Sequence, residues 1–332
     1  MSPSTTNAEM ATPPTAEAVT AYLRSRGHQA DVASVQRIRG GGSRQIWLVV
    51  LSGSTGGLPQ EVLIRKDSDI GGTVPTPLEQ EYRILEVLHR QGVRVPEPFW
   101  FEADPQWFGA CFYVRRGLLG TSDQSTFSGP AAERLSADLA STLAELHAVD
   151  PEVLHLDGLA RPRNVSDAAK HEVERWYAHW HEHRVEPSPM LEEVAWWLRR
   201  NRPSSTEPVT IVWGDVGIAN SICSPDGRVL AMSDFELAGL GDPMRDLGSG
   251  IWRGADRLAG RQHFLDAYEA ASGRTVAHDR VRYYEVFMNW LTAIFAHAAV
   301  QPDDRGRGLH PPLLQIWAQR VNLHKAGRLI GI

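Results

Sequence analysis

Apolar positions in the first third of the chain recur at two different periods. Over residues 16–26 they follow a helical spacing that ends near Gly27. Strand-like runs follow at 35–39, 46–51 and 61–65. The glycine-rich stretches GGGS (40–43) and GSTGG (53–57) separate them, which is the pattern of an antiparallel meander. Prolines 75 and 77 lead into LEQEYRILEVLHRQ, where Leu78, Tyr82, Leu85 and Leu88 form one helical stripe that Gly92 stops. Two further strand-like runs, roughly 99–102 and 110–114, complete a small sheet with one long helix laid against it.

After a polar connection, GTSDQSTFSGP (120–130), the period becomes helical. AAERLSADLASTLAELHAV (131–149) predicts one strong helix. SDAAKHEVERWYAHWHEHR and MLEEVAWWLRRN predict a helical pair, with tryptophans 176, 180, 196 and 197 on or near buried faces. Short strands around 209–233 interrupt, and helices cover roughly 257–272, 279–299 and 312–328. The chain thus divides into a disordered tail (1–15), a β-rich N-terminal lobe (16–117) and a mainly helical C-terminal lobe (118–332). That is an α+β arrangement.

Length changes the picture little, since 332 residues suffice for two lobes, each with its own core. Hydrophobic content of 42% and charged content of 22% fit a soluble globular protein. No apolar run approaches the ~18 residues that a membrane span requires. The start, MSPSTTNAEMATPPT, lacks the basic lead and apolar core of a secretory signal. Only Cys111 and Cys223 are present, so no disulfide framework is implied and a cytoplasmic location is expected. Residues 1–117 hold 12 acidic and 12 basic side chains, so the whole formal charge of −6 falls on the remainder. An acidic second half argues against nucleic acid as partner and is compatible with a cationic or neutral substrate.

Candidate chemistry concentrates in VWGDVGIANSICSPDGRVLAMSDFELAGLGDPMRDLG (212–248). Asp215 stands five residues before Asn220, both just after an apolar run, and Asp234 follows a second apolar run. Two carboxylates and an amide at the ends of short strands suit phosphoryl transfer. One carboxylate orients a hydroxyl, while the amide and the other carboxylate hold Mg²⁺. A two-metal phosphohydrolase uses similar residues but needs histidine ligands nearby, and none lies between 190 and 262.

Several stretches, in order, carry a family likeness: RGGGSRQIWLV, VLIRKD, EQEYRILEVLHRQGVRVPEPFW, LASTLAELHAVD, VWGDVGIANSIC and SDFELAGLGDPMRDLG. From about residue 35 to about residue 253 the chain resembles the aminoglycoside phosphotransferase family, which shares the protein-kinase-like fold with choline and other small-molecule kinases. The resemblance implies a bilobal fold and an ATP- and Mg²⁺-dependent kinase acting on a hydroxyl of a small molecule, such as an aminoglycoside-like antibiotic or another small alcohol.

It also implies roles for particular residues. Asp215 would be the catalytic base, and Asn220 and Asp234 the metal ligands. Arg65, paired with Glu81, would be the phosphate-contacting cation, with Lys66 on the opposite strand face as the alternative. Gly42 and Ser43 would sit in the loop over the nucleotide. Asp246 would support the catalytic-loop backbone, Glu236 would touch metal or substrate or lie at the surface, and Asp242 with Pro243 would shape a turn. Two departures stand out: Trp213 where relatives have histidine, and Arg115–Arg116 where an apolar and an acidic hinge residue are common. They motivate the alternative of a catalytically degenerate nucleotide-binding protein. Acidic residues such as Glu172, Glu174 and Asp256 are candidates to greet a cationic amine, or a solvated helix face.

Overall fold

The computed structural model describes residues 13–38, 44–67, 74–184, 187–298 and 312–332. Helix α1 (Ala16–Ser25) opens where the Thr15 hydroxyl accepts the Ala18 N–H at 3.2 Å, capping the first turn. Five strands follow: β1 (Ala30–Ile38), β2 (Arg44–Thr55), β3 (Glu61–Asp67) and, beyond helix α2 (Leu78–Arg90), β4 (Pro98–Glu102) and β5 (Phe112–Arg116). They form one antiparallel sheet in the order β1-β2-β3-β5-β4. β1 begins earlier and β2 runs longer than the apolar runs predict, because pairing between them extends to Ala30 and Thr55.

The strand period of two gives β3 two covered faces. Val62 and Ile64 join Val19, Tyr22 and Leu23 of α1 in one apolar cluster. Lys66 shares that side, and its Nζ donates to the Phe108 carbonyl at 3.0 Å. Arg65 turns to the other face, where it meets Glu81 of α2.

The remaining elements are mostly helical: α3 (Gly129–Ala148), α4 (Val165–His183), α5 (Pro189–Arg200), α6 (Pro243–Trp252), α7 (Asp256–Ala259), α8 (Arg261–Ser272), α9 (His278–Ala298) and α10 (Pro312–Ile330). Between α5 and α6 lie two small antiparallel ladders. Strand β6 (Thr210–Val212) pairs with β9 (Gly239–Gly241), and β7 (Ser221–Ser224) pairs with β8 (Arg228–Met232). The expected α+β class is therefore observed. The chain separates into two compact units: one runs through Tyr82 and includes Pro96–Leu118, and the other holds Arg83–Val95 and Leu119–Ile332. Among the described residues no helix is long and apolar enough to cross a membrane.

Two details depart from the sequence expectations, and one residue choice is explained only by packing. The helix expected over 257–272 is broken at Gly260, whose φ of 94° no helix tolerates, so α7 and α8 are separate. Trp176 and Trp180 are buried, but Trp196 is 52% exposed and carries the Arg200 guanidinium 4.6 Å over its ring. Helix α6 forms despite Gly248 and Gly250, each costing roughly 1 kcal/mol of intrinsic helix propensity. Close packing of α6 on α9 accounts for Gly248, and the approach of Phe264 and Val216 accounts for Gly250. A Cβ at Gly248 would lie 2.7 Å from Tyr284 Cβ and 2.9 Å from the Val281 carbonyl oxygen.

Both cysteines are free; Cys223 is buried and Cys111 half-buried. Burial pushes the Cys223 thiol up to about 12. It also raises Cys111, with the Asp67 carboxylate adding to the effect. Iodoacetamide at pH 8 is thus expected to spare Cys223 in the folded protein and to label it after denaturation, as intact-mass spectrometry would read. Gly248→Ala should destabilise the chain by about 1–3 kcal/mol in urea unfolding, because the backbone of α9 must move to admit one methyl.

Candidate active site

Strand β6 runs straight into a loop that would be costly to bury unaided, because its amides have no strand partner. One carboxylate satisfies them. Asp246, in the first turn of α6 and fully buried, accepts the Trp213 N–H at Oδ2 and the Gly214 N–H at Oδ1, each at 2.7 Å. His147 of α3 meets the same Oδ2 through Nε2 at 3.0 Å, and its Nδ1 lies 2.8 Å from the Tyr268 hydroxyl of α8. A third loop amide, Val216 N–H, donates to the Ser249 hydroxyl at 3.1 Å. Gly214 has φ 87°, and a Cβ there would stand 2.2 Å from the Leu237 carbonyl oxygen and 2.4 Å from Arg245 Nη1. Glycine is thus required on steric and conformational grounds together.

The loop so held presents Asp215, whose side chain is 11% exposed. Asn220, in the short 3₁₀ turn that precedes β7, donates Nδ2 to Asp215 Oδ2 and to the Asp215 carbonyl, both at 2.9 Å. With Nδ2 engaged in that direction, the amide oxygen Oδ1 is turned away as an acceptor. The β7–β8 hairpin then delivers Asp234. Register pairs Ser221 with Met232, and the N–H and hydroxyl of Ser233 both donate to the Asn220 carbonyl at 2.8 Å. Asp234 itself adopts φ 64°, the one non-glycine in the left-handed region among the described residues. An off-pattern backbone of this kind marks functional positions, although Asp tolerates it better than most residues. Asp215, Asn220 and Asp234 are therefore brought together within one unit.

Trp213 is fully buried and does more than fill space. Its indole Nε1 donates to the carbonyls of Ser233 (3.0 Å) and Asp234 (3.1 Å), tying the β6 loop to the residue that carries the second carboxylate. An indole N–H thereby supplies a hydrogen-bond donor to this loop.

In the other unit, Arg65 Nε stands 3.0 Å from Glu81 Oε1 with both side chains buried. The Tyr113 hydroxyl donates to the same Oε1 at 2.9 Å. Burial raises that phenol far above its ordinary value, and the Glu81 charge adds to the rise. Arg115 is buried and donates Nη1 to the Arg116 carbonyl at 3.0 Å, while Arg116 forks onto Glu97 at 2.9 and 2.6 Å. Gly42 and Ser43 lie outside the described residues.

Three arginines that the sequence did not single out engage acidic side chains in this unit. Arg253, at the C-terminal cap of α6, forks onto Asp215, with Nε 2.9 Å from Oδ1 and Nη2 on Oδ2. Its spacing of seven residues from Asp246 is two helical turns, the one signal that places both on one face of α6. Buried Arg245 takes Glu172, with Nε 2.7 Å from Oε1, and the Glu172 carboxyl is raised by burial against the pull of that arginine. Glu174 is forked by Arg199 at 2.8 Å through both oxygens. Two of the three acids considered as greeters of a cationic amine are thus engaged by arginines.

The donor set suits Mg²⁺. One amide oxygen and one carboxylate are hard ligands that leave most of an octahedron to water and phosphate oxygens. Among the described residues no cluster of three or more His, Cys, Asp or Glu could hold a metal alone.

Comparison with known proteins decides the lineage. The model of the phosphotransferase enzyme family (APH) matches residues 34–284. The chain belongs to this phosphotransferase family. Its fold is the protein-kinase-like one. A candidate aminoglycoside phosphotransferase from Ralstonia eutropha superposes with TM-score 0.70 at 23% identity, covering 93% of this chain and 95% of that one. The choline kinase of Streptococcus pneumoniae gives 0.64 at 15% over 93% and 98%. A macrolide 2'-phosphotransferase from Brachybacterium faecium gives 0.62 at 17% over 92% and 98%.

At the sequence level, acyl-CoA dehydrogenase family member 11 of Gallus gallus is 33% identical over 174 residues, which is 51% of this chain and 22% of that protein. The human protein of that name is 27% identical over 175 residues, again 51% and 22%. The chain thus spans about a fifth of the length of these curated relatives. Membership and fold together support small-molecule phosphotransfer.

Asp246→Asn keeps one acceptor oxygen but turns an NH₂ toward a loop amide. It should cost about 1–3 kcal/mol in denaturant unfolding and lower turnover as the loop shifts. Unchanged stability would contradict the role given to this carboxylate.

Proposed function

We propose that the protein is an ATP- and Mg²⁺-dependent kinase that moves the γ-phosphoryl group to a hydroxyl of a small molecule, with Asp215 as the base. One observation carries this reading: Asn220 Nδ2 donates to Asp215, and the β7–β8 hairpin ties Ser233, the neighbour of Asp234, to the Asn220 carbonyl, so that an amide and a second acidic residue come up beside the base. Asn220 and Asp234 would hold Mg²⁺, which when bound neutralises phosphate charge.

The protein's own groups do the positioning. Asp215 accepts a hydrogen bond from the acceptor hydroxyl, aligns its oxygen on the γ-phosphorus and takes the proton as the bond forms. Arg65, held by Glu81, is the cation for the nucleotide phosphates, and its planar fork suits their oxygens. Gly42 and Ser43 are assigned to the same nucleotide. Catalysis of this kind rests on placement and electrostatics rather than on covalent participation of the protein.

Against the degenerate-enzyme alternative, Trp213 donates two hydrogen bonds at the position where the resemblance expects a histidine, which supports an intact loop. Glu172 and Glu174 are engaged by arginines, which weighs against their greeting an amine, and the two free cysteines are compatible with a cytoplasmic setting.

Asp215→Ala should reduce ATP-dependent phosphorylation by about 10²–10⁴-fold while leaving Mg·ATP affinity within a few-fold. Radiolabel transfer and calorimetry together would read this, and full turnover in the variant would sink the assignment. An ADP-release screen across aminoglycosides, macrolides, amino-alcohols, sugars and hydroxyacyl compounds would then name the acceptor.

A further inference from the structure

The carboxylate of Asp215 does not stand alone. Arg253 grips it side-on, with Nε 2.9 Å from Oδ1 and Nη2 on Oδ2, in the two-pronged geometry that fixes a carboxylate plane as well as neutralising it. Asn220 Nδ2 adds a second donor to Oδ2 at 2.9 Å. Among the described residues Oδ2 therefore receives two donors and Oδ1 one, so the remaining acceptor capacity of the carboxylate lies on Oδ1.

The surroundings are cut to fit the arginine. At Gly217, two residues past Asp215, an added Cβ would lie 3.1–3.2 Å from Cδ, Cβ and Cγ of Arg253, so the arginine stem runs flat across the space that a side chain there would take. The indole of Trp252 lies beneath the guanidinium carbon at 5.1 Å. The residue is anchored at the C-terminal cap of α6, where a cation is favoured by the helix dipole. The same helix bears Asp246, which fixes the loop of Asp215 from its other end.

We propose that Arg253 is a positioning residue for phosphoryl transfer: it holds the Asp215 carboxylate so that Oδ1 faces the attacking hydroxyl. The inference rests on the kinase reading above. It assigns Arg253 no contact with the nucleotide, so its loss acts on turnover and leaves ATP binding alone. Lysine supplies charge without the fork and restores turnover only in part.

The test uses the full chain and needs no knowledge of the acceptor, because slow Mg·ATP hydrolysis uses water as nucleophile at the same carboxylate. Steady-state ADP formation is measured for the wild type, Arg253→Ala, Arg253→Lys and Asp215→Ala, with thermal melts to score folding. Arg253→Ala should lose about 10²-fold in kcat with the KM for ATP within two-fold of wild type, a loss of the size that misplacing a catalytic group produces. Arg253→Lys should fall between the two. Millimolar guanidinium should raise the rate of Arg253→Ala and leave Asp215→Ala unchanged, a rescue that a merely structural role would not give.

Wild-type kcat in Arg253→Ala, or a loss confined to KM, would overturn the proposal while leaving the kinase reading intact. A folded Arg253→Ala that guanidinium fails to rescue would likewise refute the positioning role. Absence of Mg·ATP turnover in the wild type both alone and with every hydroxyl compound of the acceptor screen would overturn both.

Discussion

Asp246 is a carboxylate without access to water, and the site is arranged around satisfying it. Such a group is tolerated only when hydrogen bonds replace its hydration. Here the donors are two consecutive loop amides and the histidine of α3, which is itself buttressed by Tyr268 of α8. The exchange is mutual, since the amides at Trp213 and Gly214 would be orphaned without it. Four elements, β6, α3, α6 and α8, thus converge on one side chain. Its position in the first turn of α6 adds a favourable interaction with the helix dipole.

From that anchor the order of the site follows. Gly214 turns the chain where no side chain fits, which sets Asp215 one residue further on. Asn220 closes onto Asp215, the hairpin extends to Asp234, and the indole of Trp213 ties the carbonyls there back to the start of the loop. Each link is a hydrogen bond of ordinary length between groups that water cannot reach easily. Cooperative networks of this kind lose more than one bond when a member is removed. Helix α6 connects both ends of the arrangement, with Asp246 beneath the loop and Arg253, seven residues or ~10 Å along the axis, on the carboxylate it presents.

Much of this was legible in the chain. The stripe Leu78, Tyr82, Leu85, Leu88 gave α2, and strand alternation placed Arg65 and Lys66 on opposite faces. The Asp215, Asn220, Asp234 spacing marked the segment that the structure gathers. What stayed hidden depends on contacts between distant residues. Gly248 and Gly250 disfavour a helix by propensity, and only packing, against α9 at Gly248 and against Phe264 and Val216 at Gly250, explains them. The three residues of β9 are too few to show a period, and Gly260 breaks a helix whose apolar pattern continues through it. Glu172 looked like a solvated charge until Arg245, 73 residues away in sequence, proved to be its partner. Trp196 and Trp197 share a helix and a residue type, yet Trp196 faces outward.

The central claim is that Asp215, Asn220 and Asp234 form a phosphoryl-transfer site and not a relic of one. Its most direct test is a product analysis of the purified protein with Mg·ATP and a panel of small hydroxyl compounds, reading ADP and phosphate monoesters by mass spectrometry. The account predicts ADP matched by a phosphate monoester of at least one acceptor, with no product when Mg²⁺ is chelated. Tight nucleotide binding without any phosphoryl transfer, or ADP matched only by inorganic phosphate across the whole panel, would contradict it.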